Sequence, residues 1–251
     1  MRNHLLQKLN RRKILRHQFS KSKYATNVYC SLLKLKSYYV MTNYDRGWKK
    51  YQTRIYRETI ADYDNAVALS PDCTVAYIKR GLAKLGLDDL QGALTDFDTA
   101  ISIDRTFAIA YFHRGQARFE LGDYQEAIMD YDKAMIMNPE ITDAHFHRGK
   151  SKSANGDQLG AIADFDEAIT IRPTFAEAYS NKGCAKSELL DFKGAMTEYN
   201  KAIAVDPRYA NVYFKRGMLQ YELGDIDSAL SDLHKAGELG MKEAYEILAT
   251  I

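Results

Sequence analysis

The stretch AIAYFHRGQARFELGDYQEAIMDYDKAMIMNP, residues 108–139, holds two amphipathic segments around one turn. Tyr111 and Gly115 lie one helical turn apart in the first segment, and Ala127, Tyr131 and Ala134 form an i, i+4, i+7 stripe in the second. Leu121-Gly122-Asp123 separates them, and Asn138-Pro139 ends the second. Glycine near a helix end and aspartate just before the next helix are C-cap and N-cap chemistry, and proline stops continuation. The stretch therefore reads as one helix–turn–helix pair.

Moving outward, the same pattern returns every 34 residues. Glycines stand at Gly47, Gly81, Gly115, Gly149, Gly183 and Gly217. Ala93, Ala127, Ala161, Ala195 and Ala229 form a second column, and Tyr63, Phe97, Tyr131, Phe165, Tyr199 and Leu233 a third. A further small column runs Ala66, Ala100, Ala134, Ala168, Ala202 and Ala236, with turns at Asp89, Asp157, Asp191 and Asp225 and prolines at Pro71, Pro173 and Pro207. Small residues let paired helices approach closely, and the aromatic fills the space between units. A large residue at Gly149 or Ala161 is expected to overpack that contact, at about 1–3 kcal/mol.

The pattern resembles the tetratricopeptide repeat family in its period, in its glycine, alanine, aromatic and proline columns, and in the Leu-Gly-Asp-Tyr turn at Leu121 to Tyr124. The resemblance implies an all-α fold, a right-handed superhelical solenoid of about six 34-residue helix–turn–helix units. The repeat domain is expected over 41–251, with units near 41–73, 74–107, 108–141, 142–175, 176–209 and 210–243 and a cap helix over 242–251. The first unit departs most, with Thr59 in the alanine column and Gln52-Thr53-Arg54 where the turn should fall.

Charge is distributed unevenly. Residues 1–41 hold ten Lys or Arg and no acid, whereas 42–251 hold 25 basic and 33 acidic residues, a formal balance of −8. The leader, 1–40, reads as a disordered or targeting segment, with Met41 an alternative start, and RNA or membrane-surface contact through it is a further reading. No run approaches the roughly 18 apolar residues of a membrane span. Cys30, Cys73 and Cys184 show no paired framework, so disulfides receive little support. A cytoplasmic location is expected, or a mitochondrial or other organellar one if the leader is a transit peptide.

The family usually places leucine before the glycine. This chain has Arg46, Arg80, Arg114, Arg148, Lys182 and Arg216, with acid pairs such as Asp96/Asp98, Asp130/Asp132 and Asp164/Asp166 on the second helices. These residues predict a ladder of Arg–Asp pairs between packed helices, the arginine stems covering apolar surface. A nucleic-acid-binding basic stripe is disfavoured, because the interleaved acids repel phosphate.

In a solenoid the first helices line the inner face, which makes them the candidate binding surface for a peptide or partner protein. The residues predicted there are Trp48, Tyr51, Ile78, Leu82, Phe112, Gln116, Phe119, Phe146, Lys150, Phe214, Met218 and Tyr221, an aromatic-rich set. The alternative is that some of these rings pack on one another. Some family members clamp the C-terminal carboxylate of heat-shock chaperones with lysines and asparagines, but the asparagine positions here carry Leu82, Gln116, Lys150 and Cys184, which argues against that tail.

No catalytic constellation is visible. His113 and His147 occupy equivalent positions without an acid or thiol to complete a metal site, and Cys184 has no base and orienter pair. The reading is a scaffold for protein–protein interaction, monomeric unless assembled in a complex, not an enzyme, with no cofactor or metal. A regulatory peptide sensor is the alternative.

Overall fold

The computed structural model describes residues 49–250, and side chains from residue 56 onward. Every element among them is an α-helix: α1 (Lys49–Leu69), α2 (Thr74–Leu85), α3 (Leu90–Ile103), α4 (Ala108–Glu120), α5 (Tyr124–Met137), α6 (Asp143–Ala154), α7 (Gln158–Ile171), α8 (Ala176–Glu188), α9 (Phe192–Val205), α10 (Ala210–Glu222), α11 (Ile226–Glu238) and α12 (Lys242–Leu248). The chain divides into two compact units between Leu121 and Gly122. In the first, α1 to α4 pack consecutively; in the second, α5 to α12 do so, and first helices also touch across repeats, α6 with α8 and α8 with α10.

The helix ends follow the repeat punctuation. Asp89, Asp157 and Asp191 each accept a hydrogen bond from the backbone N–H of the glycine three residues on, and Asp225 from that of Ser228. Asp123, followed at that position by Glu126, makes no such side-chain cap. Within the turns Gly122, Gly156 and Gly224 take φ of 83–87°, the left-handed region that glycine enters freely. The equivalent positions in two other repeats are Asp88 and Leu190, at φ 64° and 60°.

Each core cluster takes its second helix from one repeat and its first from the next. Phe97, Ala93 and Ala100 of α3 meet Ala110 and Ala117 of α4. Phe165, Ala161 and Ala168 of α7 meet Ala178 and Ala185 of α8, and Tyr199, Ala195 and Ala202 of α9 meet Val212 and Leu219 of α10. No repeat could bury these faces alone. Glycine is required where the ring crosses: a Cβ at Gly81 would lie 2.7 Å from Phe97, and one at Gly183 would lie 2.6 Å from Tyr199.

One expectation is corrected. α1 runs unbroken through Gln52-Thr53-Arg54, where a turn was expected; none of the three is glycine, proline or a capping acid, so nothing there interrupts helix. Cys73 is buried with Tyr63 and Ala66, and Cys184 is a free thiol. Among the described residues no helix is long and apolar enough to cross a membrane.

Candidate functional site

Among the described residues the expected ion ladder is present, and Arg80 and Arg148 each serve two acids. Arg80 donates from Nε and Nη2 to the two carboxylate oxygens of Asp96, at 2.9 and 2.5 Å, and from Nη1 to Asp64 at 2.7 Å. Arg148 repeats the arrangement with Asp164 and Asp132. Arg216 does so with Asp232, at 2.6 and 2.7 Å, and with the amide oxygen of Asn200. In the first unit Arg114 reaches Asp98 at 2.6 Å. The inner acids Asp96, Asp164 and Asp232 are buried on the arginine's own repeat, whereas of the outer partners on the preceding one Asp64 and Asp98 are exposed and Asp132 is half-buried. One guanidinium thus ties two repeats together, with bidentate geometry on its buried side.

A second cation sits one turn on. Lys84 Nζ lies 2.8 Å from Asp96, and Lys152 Nζ lies 2.9 Å from Asp164. The hydrogen bond to Asp96 raises the pKa of Arg80 against the opposing effect of burial, and Asp164 does the same for Arg148.

The fifth repeat changes both partners together. Lys182 replaces arginine and Glu198 replaces aspartate, a shorter cation facing a longer acid. Glu198 collects Lys182 at 3.4 Å, Lys186 at 3.2 Å and Lys201 at 3.3 Å. Burial pushes its carboxyl up, but the lysines more than reverse this and leave it below its ordinary value.

Aromatics complete the ladder. Arg80 lies over the ring of Tyr77 and Arg114 over that of Tyr111, both at 5.3 Å, and Arg216 lies over Tyr213 at 5.8 Å. In the fourth repeat this column holds His145, whose buried Nδ1 has no hydrogen bond and lies 3.9 Å from Asp164. The histidine in a column that holds Tyr77, Tyr111, Tyr179 and Tyr213 was the signal that could have marked the position in the sequence.

The predicted binding residues divide into three groups. Trp48 lies outside the described residues, and Tyr51 lies in α1 with its side chain outside them. Ile78, Phe112 and Phe146 are buried. Phe146 packs 4.6 Å from Phe175 and 5.9 Å from Phe165, ring to ring. Leu82, Gln116, Phe119, Lys150, Phe214 and Met218 are half-buried, and Tyr221 is exposed. Lys150 Nζ stands 5.8 Å above the Phe146 ring, so that ring forms the floor beneath the ammonium.

His113 is tucked between Phe97, with ring centroids 6.0 Å apart, and Phe112, at 5.2 Å. Its Nδ1 donates to Gln116 Oε1 at 2.7 Å. Burial brings its pKa down to about 4, the Gln116 bond opposing and the charge of Lys79 adding to the fall. His147 stacks on Tyr131 in the second unit, 5.9 Å between centroids. The Tyr199 hydroxyl donates to Cys184 Sγ at 3.5 Å. Among the described residues no cluster of three or more His, Cys, Asp or Glu has metal-holding geometry.

These features define a helix-pair repeat protein. A tetratricopeptide repeat model matches residues 108–141, and a TPR repeat model matches 191–236. The chain carries tetratricopeptide repeats at those residues. Its fold is similar to YrrB, described as a TPR protein with an unusual peptide-binding site, at 20% identity over 75% of this chain and 97% of that one, TM-score 0.58. It is also similar to MamA from Desulfovibrio magneticus RS-1, at 20% identity over 66% of this chain and 94% of that one, TM-score 0.60. The APC/C hetero-tetramer Cut9–Hcn1 contains a chain similar to it at 16% identity over 88% of this chain and 46% of that one, TM-score 0.65. No curated protein sequence matches the chain. At these identities the likeness establishes the fold.

Proposed function

We propose that the chain is a non-catalytic interaction scaffold that holds a peptide or partner protein against its first-helix faces. Tetratricopeptide repeats typically mediate protein–protein interaction, and both YrrB, with its peptide-binding site, and Cut9–Hcn1, a hetero-assembly, are of this kind.

The observation that carries the reading is the division of labour on the first helices. Their cationic column is spent on buried acids of the second helices, so it holds the stack together. Their other face offers Leu82, Gln116 and Phe119 in the first unit, and Lys150, Phe214, Met218 and Tyr221 in the second, all partly or fully accessible. Apolar and aromatic area beside an ammonium or an amide suits a peptide, which needs anchors and a few directional hydrogen bonds.

The test is co-purification of a partner with the full chain from its source, followed by affinity measurement on Lys150→Ala/Met218→Ser/Tyr221→Ser. The reading expects at least about a tenfold loss of affinity, about 1.4 kcal/mol, with the melting temperature nearly unchanged. Unchanged affinity in that variant would remove the first-helix face from the account.

A further inference from the structure

Exposed aliphatic side chains stand in, or within two residues after, the three successive turns that join first to second helices in the second unit. Leu159 is 71% exposed and Leu190 74%, and Leu189, Leu223 and Ile226 are exposed as well. These turns follow α6, α8 and α10, and because those helices contact one another in order, their turns lie along one edge of the unit. Leu190 stands out twice over. It occupies the left-handed position at φ 60° that Gly156 and Gly224 fill in the neighbouring repeats, and it does so while pointing a large apolar side chain at water. A β-carbon in that conformation costs about 1 kcal/mol, and no core contact offsets it.

Charge on the same edge is predominantly negative. Within residues 154–159, 188–193 and 222–227 the exposed acids are Asp157, Glu188, Asp191, Glu222, Asp225 and Asp227, and Lys193 is the one cation. Asp157, Asp191 and Asp225 each lend an oxygen to a helix N-terminus, at 2.9, 2.9 and 3.3 Å, and their charge stays at the edge. None of the six acids forms an ion pair with that lysine. The edge therefore alternates aliphatic tips with carboxylates.

We infer that this edge is a second docking surface, distinct from the first-helix face, for a cationic amphipathic segment of a partner protein. Aliphatic side chains of the segment would cover Leu159, Leu190 and Leu223, while its lysines or arginines meet the flanking acids. Contiguous exposed apolar residues mark interaction sites, and charge complementarity selects a basic partner over an acidic one.

The experiment titrates the full chain with a fluorescent peptide of four Lys-Leu-Ala-Lys repeats. Two control peptides accompany it, one with every leucine changed to serine and one with every lysine changed to glutamate. Saturable binding of the first peptide is expected, weaker by at least about tenfold for each control and falling as salt screens the acids. Leu190→Asn/Leu223→Asn should weaken it by a similar factor. Asparagine tolerates the left-handed conformation, so that variant keeps its fold, which far-ultraviolet circular dichroism checks. Lys150→Ala/Met218→Ser/Tyr221→Ser should bind the peptide as the parent does, which separates this edge from the first-helix site. The inference is overturned if the peptide does not bind. It is equally overturned if the serine control binds as well, since that is diffuse charge attraction, or if the leucine variant binds undiminished.

Discussion

Arg148 holds both oxygens of the buried Asp164 carboxylate with two nitrogens and reaches with the third to Asp132 in the repeat before. Removing the arginine leaves a buried acid with Lys152 and, at 3.9 Å, His145, and breaking a buried pair costs far more than the intact pair contributes. Arg148→Met is expected to lower stability by about 3 kcal/mol, and Asp132→Asn, on the outer side, by under about 1 kcal/mol. Adding Asp164→Leu to Arg148→Met should restore part of the loss, because the stranded charge goes too. Denaturant unfolding of the three variants checks the order.

Gly183 and Gly217 occupy one column but face different neighbours. A Cβ at Gly183 lies 2.6 Å from the Tyr199 ring, while one at Gly217 lies 3.2 Å from its nearest atoms, among them Leu233. Gly183→Ala should therefore cost about 1–3 kcal/mol and Gly217→Ala clearly less. Tyr199→Leu in the Gly183→Ala background should recover stability. Melting temperatures of the four proteins decide this.

His113 makes stability depend on pH. Folded, it titrates near 4; unfolded, it takes up a proton near its ordinary value of about 6.5. Between those values the unfolded state binds more protons, so stability falls as pH drops from about 6.5 to 4, by about 3 kcal/mol. His113→Phe should flatten the unfolding midpoint across that window.

Glu198 acts at lower pH. Its folded pKa lies below that of the unfolded chain, so its contribution is present above the unfolded value, about 4.3, and lost as pH falls through the folded one. Glu198→Gln should be less stable than the parent at neutral pH and lose less on acidification toward pH ~3. Urea titrations at a series of pH values measure both.

Leu190 carries local strain without packing. Leu190→Gly should raise stability by about 0.5–1 kcal/mol, relief of the left-handed conformation outweighing the added freedom of the unfolded chain. A fall in melting temperature would count against it.

Much of this was legible in the sequence because a repeat states each rule several times. The glycine, alanine and aromatic columns located the helix pairs, and sixteen-residue offsets between Arg148 and its two aspartates put the ladder within reach. Burial of Phe146 was less visible. It depends on Phe175, which arrives from the connection after α7 and closes over the ring, a three-dimensional fact that the column pattern does not contain. The unbroken α1 was missed because periodicity supplied a turn that its residues do not encode. The acidic, leucine-tipped edge escaped because turn positions were read for their caps, and only the φ of Leu190 makes the residue conspicuous.

Hydrogen–deuterium exchange of the full chain with and without its co-purified partner tests the central claim most directly. The account predicts that protection on binding concentrates in first helices, above all α6 and α10, which carry Lys150, Phe214, Met218 and Tyr221, while the outer sides of α7, α9 and α11 exchange as before. Protection confined to those second helices, with α6 and α10 unchanged, would contradict it.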